Sequence, residues 1–207
     1  MQHFVAKTHA ENVLWFKEHA KIAHAAAVKK GFYDDAPPIG TLAKNLDLEH
    51  LYKISNLISS EIGEAYECYR TGKIKPNDAI FDTVRALMDK DKVAFIAAYA
   101  DHVKGTVSEE LADVVIRAMD FAGSVYKEIE CEEYSRSEAA TPNLRFHQLF
   151  RDASDIGWSW VCALKRPYLV ATSCIHIAKF FDIDIYANVA MKMAYNEHRP
   201  YKHGKNF

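Results

Sequence analysis

Apolar positions recur at three- and four-residue intervals along most of the chain, the signature of helices that each bury one face. Val13, Phe16, His19, Ile22, Ala23 and Ala26 predict an amphipathic helix over residues 8–30, ended by Lys30-Gly31 with Gly31 as a candidate C-cap. Phe32 to Gly40 reads as a loop, because Pro37-Pro38 cannot sit inside a helix. Ile54, Leu57, Ile58, Ala65 and Cys68 mark a long helix over 48–70 that stops at Thr71-Gly72-Lys73. Helical pieces follow over 77–88 and 92–103, then a helix from Glu109 to about Tyr126 with Ser108 as its candidate N-cap. Glu128 to Asn143 is charged, contains Pro142, and reads as a loop or short helix. Leu144 to Leu164 and Pro167 to Phe181 read as two helices joined near Lys165-Arg166-Pro167, and Asp184 is a candidate cap for a last helix over 185–197. With no persuasive alternating strand and no hairpin signal, the expected fold class is all-α, a helical bundle in one domain spanning 1–207.

Two polar interruptions of this pattern carry candidate chemistry. Glu61-Ile-Gly-Glu64 puts two carboxylates on one helix face, with Glu61 in a slot of the apolar stripe and Glu64 at its edge. In the helix that begins at Glu109, Leu111, Val114, Val115, Ile116, Ala118, Met119, Phe121 and Ala122 leave Glu110, Asp113, Arg117 and Asp120 as one polar stripe. A helix apolar nearly all round is normally buried, so that stripe is expected to face something particular. Buried carboxylates need a compensating cation or hydrogen bonds. Glu61, Glu64, Glu110 and Asp113 converging between two helices would make an all-oxygen site for a hard divalent cation such as Mg²⁺ or Mn²⁺. The competing reading is two acidic pairs on solvated faces.

Bulk properties narrow the class. A formal charge of −2 over 207 residues argues against a general nucleic-acid or membrane-surface binder, and 49% apolar residues are enough for a sizeable core. Cys68, Cys131, Cys162 and Cys174 are scattered without metal-ligand spacing, as expected of thiols in a reducing compartment. Met1-Gln2-His3-Phe4 opens no apolar signal segment, and Lys165, Arg166, Pro167 and His176 interrupt the most apolar stretch, so the expected location is the cytoplasm. His147 and His176 sit in apolar helical patterns and read as core histidines, Trp158 and Trp160 as core or interface residues, and Trp15 as a core residue or a stacking surface for a base. Lys192, Arg199, Lys202 and Lys205 gather near the end of the chain with Asn196, which suits either phosphate contact or a solvated basic tail. Phe32 is a candidate stacking surface for a base, or a packing residue.

Four segments, in order, resemble the MazG-like all-α nucleoside triphosphate pyrophosphohydrolases of the compact bacterial and phage type. They are Lys30-Gly31-Phe32-Tyr33-Asp34; Leu57-Ile-Ser-Ser-Glu61-Ile-Gly-Glu64-Ala-Tyr-Glu67; Glu109-Glu110-Leu-Ala-Asp113-Val-Val-Ile-Arg117-Ala-Met-Asp120; and Lys192-Met-Ala-Tyr-Asn196-Glu-His-Arg199-Pro-Tyr-Lys202-His-Gly204-Lys205. The chain departs from that pattern at Ser60, where many members carry a further acid. It also departs in a longer stretch between the acidic motifs (about 74–107) and in a helical segment at about 124–179 that reads as an insertion.

The resemblance implies Mg²⁺- or Mn²⁺-dependent hydrolysis of a nucleoside triphosphate between the α and β phosphorus, giving a monophosphate and pyrophosphate in nucleotide-pool housekeeping. On this reading Glu61, Glu64, Glu110 and Asp113 hold the cation, Glu61 or Glu64 takes the proton of the attacking water, and Lys192, Asn196, Arg199, Lys202, Lys205 and Phe32 meet the substrate. Arg117 and Asp120 either position a ligand or form an ordinary salt bridge. A homodimer or higher homo-oligomer is implied, with no nucleic-acid or membrane partner. Two other classes compete. A di-iron carboxylate bundle would need Glu-x-x-His pairs, which neither acidic motif contains; a non-catalytic helical regulator that binds nucleotide or metal is compatible with Ser60 and the insertions.

Overall fold

The computed structural model describes residues 5–34, 48–125, 131, 141–158 and 160–200. Among them are eight α-helices and no strand, as the periodicity predicts: α1 His9–Lys29, α2 Leu48–Arg70, α3 Asp78–Leu87, α4 Lys92–His102, α5 Val107–Val125, α6 Pro142–Ser154, α7 Trp160–Phe180 and α8 Ile185–Glu197. Local chemistry sets several ends. Thr8 and Glu11 form a reciprocal capping box at the start of α1, and Gly31 follows its end with φ 80°. Asn77, Asp91 and Asp184 accept backbone N–H bonds at the starts of α3, α4 and α8.

α5 is the axis of the bundle. Leu111, Ala112, Val114, Val115, Ala118, Met119, Phe121 and Ala122 are buried, because α1, α2, α7 and α8 surround it. α6 closes the far side against α2 and α7. The α3–α4 pair carries a small cluster of its own: Val84, Phe95, Tyr99 and Val103 pack with Met191 of α8, and the Tyr99 and Tyr195 rings stack with centroids 4.6 Å apart. The stretch read as an insertion supplies α6 and α7, whose Phe146, Leu149, Val170, Cys174 and Ile177 lie in the main core with Phe16, Ile58 and Leu111.

Tertiary packing moves several expected boundaries. α7 runs unbroken through Pro167, and the change of direction falls instead at a short 3₁₀ turn, Asp155–Gly157. A proline in a helix interior costs about 3 kcal/mol. Here Val170, Ala171, Cys174 and Ile175 are buried beyond it, and Arg166 is held by Asp155 at 3.0 Å, so packing outweighs the lost local bond. Pro142 starts α6 rather than lying in a loop, with Thr141 as the cap, since a first-turn proline lacks only an N–H that has no partner there anyway. α5 begins at Val107, one residue before the expected cap Ser108, and the Glu109 N–H is received at 3.3 Å by Thr106 Oγ1.

Two side chains read as candidates for burial lie outside the core. His147 is exposed. Trp158 is 82% exposed, because Ile156 and Gly157 take the inward positions of the turn before it. Among the described residues the buried histidine is His24, and His176 is half-buried. Trp15 does pack in the core, edge-on to Tyr186.

The α1–α5 contact depends on Gly123. A Cβ at that position would lie 2.3 Å from the Ala20 carbonyl oxygen and 2.7 Å from His24 Cβ, both rigid parts of α1. Gly63, inside α2, has nothing within 4 Å of such an atom. Gly123→Ala is therefore expected to destabilise the fold by about 1–3 kcal/mol through overpacking, whereas Gly63→Ala should be neutral or stabilising by about 0.5–1 kcal/mol. Urea midpoints of the two variants check this, and equal midpoints would show that α1 does not approach α5 so closely.

Candidate functional site

A cavity of about 820 Å³ opens between α1, α2, α5 and α8. Ile22, Ala23 and Ala26 of α1 form an apolar wall, and Glu61, Glu64, Glu110 and Asp113 line the opposite side. The residues that break the apolar patterns of α2 and α5 do so because they face this space. Glu61, Glu110 and Asp113 each offer a carboxylate oxygen, and the three atoms lie within 4.8 Å of one another. Glu64, also expected as a ligand, is an exposed residue of the same wall outside that triad.

Burial, then the neighbouring Glu109 charge, pushes the Glu110 carboxyl up to about 9. Burial also raises Asp113, and burial followed by the Asp113 charge raises Glu61. An all-oxygen group whose members each hold protons against their ordinary tendency suits a hard divalent cation, which would relieve the repulsion.

One protein cation is already at the edge of the group. Lys192 of α8 is buried, and its ammonium pairs with Glu109 and Asp113. Burial opposes its charge, but Asp113 and Glu109 outweigh this and hold its pKa above the usual lysine value. Glu109 also resists burial through Lys192 and the Gly105 N–H, which together lower its pKa. Lys192 was expected at the phosphates. It lines the cavity, but its charge is engaged by carboxylates. Glu109 had no expected role of its own. Its partner is 83 residues away in sequence, and the available local signal is the Thr106-x-x-Glu109 spacing of a helix start.

The remaining expected residues fall into three groups. Arg117 Nε lies 3.4 Å from Glu61 Oε1 and its guanidinium sits 5.7 Å from the Phe32 ring centroid, so it joins the acidic group to the aromatic side of the cavity. Asp120, two turns along α5, accepts at Oδ1 from His24 Nδ1 (3.0 Å) and Tyr33 Oη (2.9 Å). Asn196 and Arg199 line the cavity at the end of α8, where Lys30 Nζ donates to the Glu197 carbonyl (2.9 Å) and to the Arg199 carbonyl. Lys30 thereby ties the ends of α1 and α8 together, a use of a cation at a helix C-terminus that local sequence does not reveal. Lys202 and Lys205 lie outside the described residues.

The signs of these shifts set a pH dependence. A carboxyl raised in the folded state makes its full contribution below its unfolded value, near 4.5, and loses it as pH climbs toward the folded value, about 9 for Glu110. Glu109, lowered from 4.5, contributes fully above that value, and Lys192, raised from 10.5, contributes fully below it. Both are therefore constant between pH 5 and 9. The metal-free protein is expected to lose stability across this window, Glu110→Gln to lose less, and millimolar Mg²⁺ to restore the wild type. Melting temperatures at pH 5, 7 and 9 check this; parallel profiles for the two proteins would remove Glu110 from the buried group.

Comparison with protein-family models, with curated proteins and with solved structures returns no match for this chain, so the chemistry of the cavity is read from its residues and their geometry.

Proposed function

We propose that the chain is a nucleoside triphosphate pyrophosphohydrolase, dependent on Mg²⁺ or Mn²⁺, that releases a monophosphate and pyrophosphate. The observation that carries this reading is the Glu61–Glu110–Asp113 oxygen group on the wall of a cavity of about 820 Å³. The four-segment resemblance to MazG-like enzymes supplies the reaction. Glu61, Glu110 and Asp113 would hold the divalent cation, which when bound neutralises phosphate oxygens and acidifies a water. Arg117 orients Glu61, and Lys192 orients Asp113. Glu64 lines the cavity outside the triad, which favours it over Glu61 as the group that takes the proton of the attacking water. That water oxygen bonds to phosphorus as the bridging P–O bond between the α and β phosphorus breaks, and the bridging oxygen leaves with pyrophosphate. Arg199 on the cavity wall is suited to bidentate phosphate contact.

Two further elements belong to this reading. A homodimer or higher homo-oligomer is part of what the resemblance implies. Cys68, Cys131 and Cys174 are thiols, which supports a reducing compartment such as the cytoplasm, and among the described residues no helix is long and apolar enough to cross a membrane.

A second reading, a helical regulator that binds nucleotide or metal without turnover, draws support from Lys192, whose charge already offsets part of the acidic group. A nucleotide panel scored separately for pyrophosphate and phosphate separates the two. The expected result is pyrophosphate release from at least one (d)NTP, only with Mg²⁺ or Mn²⁺. Glu61→Gln, Glu64→Gln and Asp113→Asn should remove most turnover while keeping helix content. Lys192→Met leaves Glu109 and Asp113 without their cation, and should destabilise the metal-free protein and increase the stabilisation that Mg²⁺ gives. Arg199→Ala should raise KM more than it lowers kcat, if its contact serves ground and transition states alike. Binding without turnover would favour the regulator, and orthophosphate release would move the cleavage site.

A further inference from the structure

Asp120 is built into the cavity wall in a way that neither the cation site nor the core requires. Its Oδ1 accepts from two donors on different segments, His24 of α1 and Tyr33 of the turn after it, and the two rings brace each other edge to face with centroids 4.6 Å apart. This fixes the carboxylate in one orientation. Its other oxygen, Oδ2, takes no hydrogen bond from the described residues, and the side chain, 13% exposed, faces both the large cavity and a smaller one of about 50 Å³ beside it. An acceptor locked in place at a cavity wall, without a donor among the described residues, is an incomplete hydrogen bond.

Its place on the helix says which end of a ligand it would meet. Asp120 lies seven residues beyond Asp113 on the same stripe of α5, about 10 Å along the axis. Arg117 lies between them on the helix, and the Phe32 ring sits 5.7 Å from its guanidinium. A cation held by Glu61, Glu110 and Asp113 would draw the anionic end of a nucleotide to that group, which leaves the base and sugar to extend along the stripe toward Asp120.

We propose that Asp120 selects the nucleoside part of the substrate, with Oδ2 accepting a hydrogen bond from an exocyclic amino group of the base or an O–H of the sugar. This deepens the nucleotide reading above and rests on it. A site arranged to complete a buried hydrogen bond discriminates strongly against analogues lacking the donor, because the protein group is then left unpaired.

Calorimetric titration with non-hydrolysable α,β-methylene triphosphates in the presence of Mg²⁺ tests it. One arm compares cytidine with uridine and adenosine with inosine, which exchange an amino donor for a keto acceptor. The other compares ribose with 2′-deoxyribose. The wild type is expected to prefer the donor-bearing member of at least one pair by about tenfold or more. In Asp120→Asn, His24 and Tyr33 keep the amide oxygen, which turns the NH₂ group toward the cavity. A base contact should then reverse its preference toward the keto partner, whereas a sugar hydroxyl, both donor and acceptor, should keep its preference and lose it only in Asp120→Ala. Inorganic triphosphate should bind all variants alike. Circular dichroism checks folding, and Tyr33→Phe, which removes one lock and leaves the carboxylate, should weaken the discrimination without abolishing it. Nucleotides that bind with selectivity unchanged in all three variants would overturn the role of Asp120 alone, as would a wild type that discriminates within no pair. Failure of every nucleotide to bind would overturn the nucleotide reading together with it.

Discussion

The interior of this bundle can hold a carboxylate cluster because an ammonium is buried with it. Lys192 lies between Glu109 and Asp113 with almost no exposure. Removing the ammonium would leave two buried carboxylates without their cation in a low-dielectric setting, which typically destabilises by several kcal/mol. The pair also fixes geometry. It joins the first turn of α5, where the helix dipole favours acids, to the middle of α8. The cavity walls, the position of Asn196 and Arg199, and the stacking of Tyr195 on Tyr99 all follow from where α8 is held. At the other end of the same space, Lys30 fastens α1 to the carbonyls of Glu197, the last residue of α8, and of Arg199 just beyond it.

The polar stripe of α5 distributes tasks along its length. Glu110 and Asp113 face Glu61 and carry raised pKa values, because burial and mutual repulsion disfavour their charged forms. Arg117, one turn on, is shared between Glu61 and the Phe32 ring. Asp120, a further turn along, is locked by His24 and Tyr33. The order along one helix runs from an acidic end able to take a cation, past an aromatic face, to a fixed hydrogen-bond acceptor. On the proposed reading, that order would suit a metal-bound nucleotide.

Close helix contact makes this possible. Gly123 admits the Ala20 carbonyl to the surface of α5, so α1 lies near enough for His24 to reach Asp120. The α1 residues that do not face α5, among them Ile22 and Ala26, then form the apolar wall opposite the acids. Charge on one wall and apolar surface on the other is the mixture of a small-molecule site, where a few fixed polar groups orient a ligand held mainly by apolar contact.

The sequence by itself determined the all-α class, most helix spans, and the two acidic motifs as the breaks in otherwise apolar stripes. These are properties of a 3.6-residue period and of side chains within one helix, so they are local and readable. Tertiary structure decided what each helix faces. Only packing reveals that Lys192 belongs to Glu109 and Asp113, that Glu64 stands apart from the Glu61 triad, and that His24 rather than His147 is the buried histidine. Packing also carries α7 through Pro167, where local propensity predicts a break. In each case the partner lies on another helix, and the energy at stake, desolvation of charge or burial of apolar surface, depends on how the helices pack rather than on neighbours in the chain.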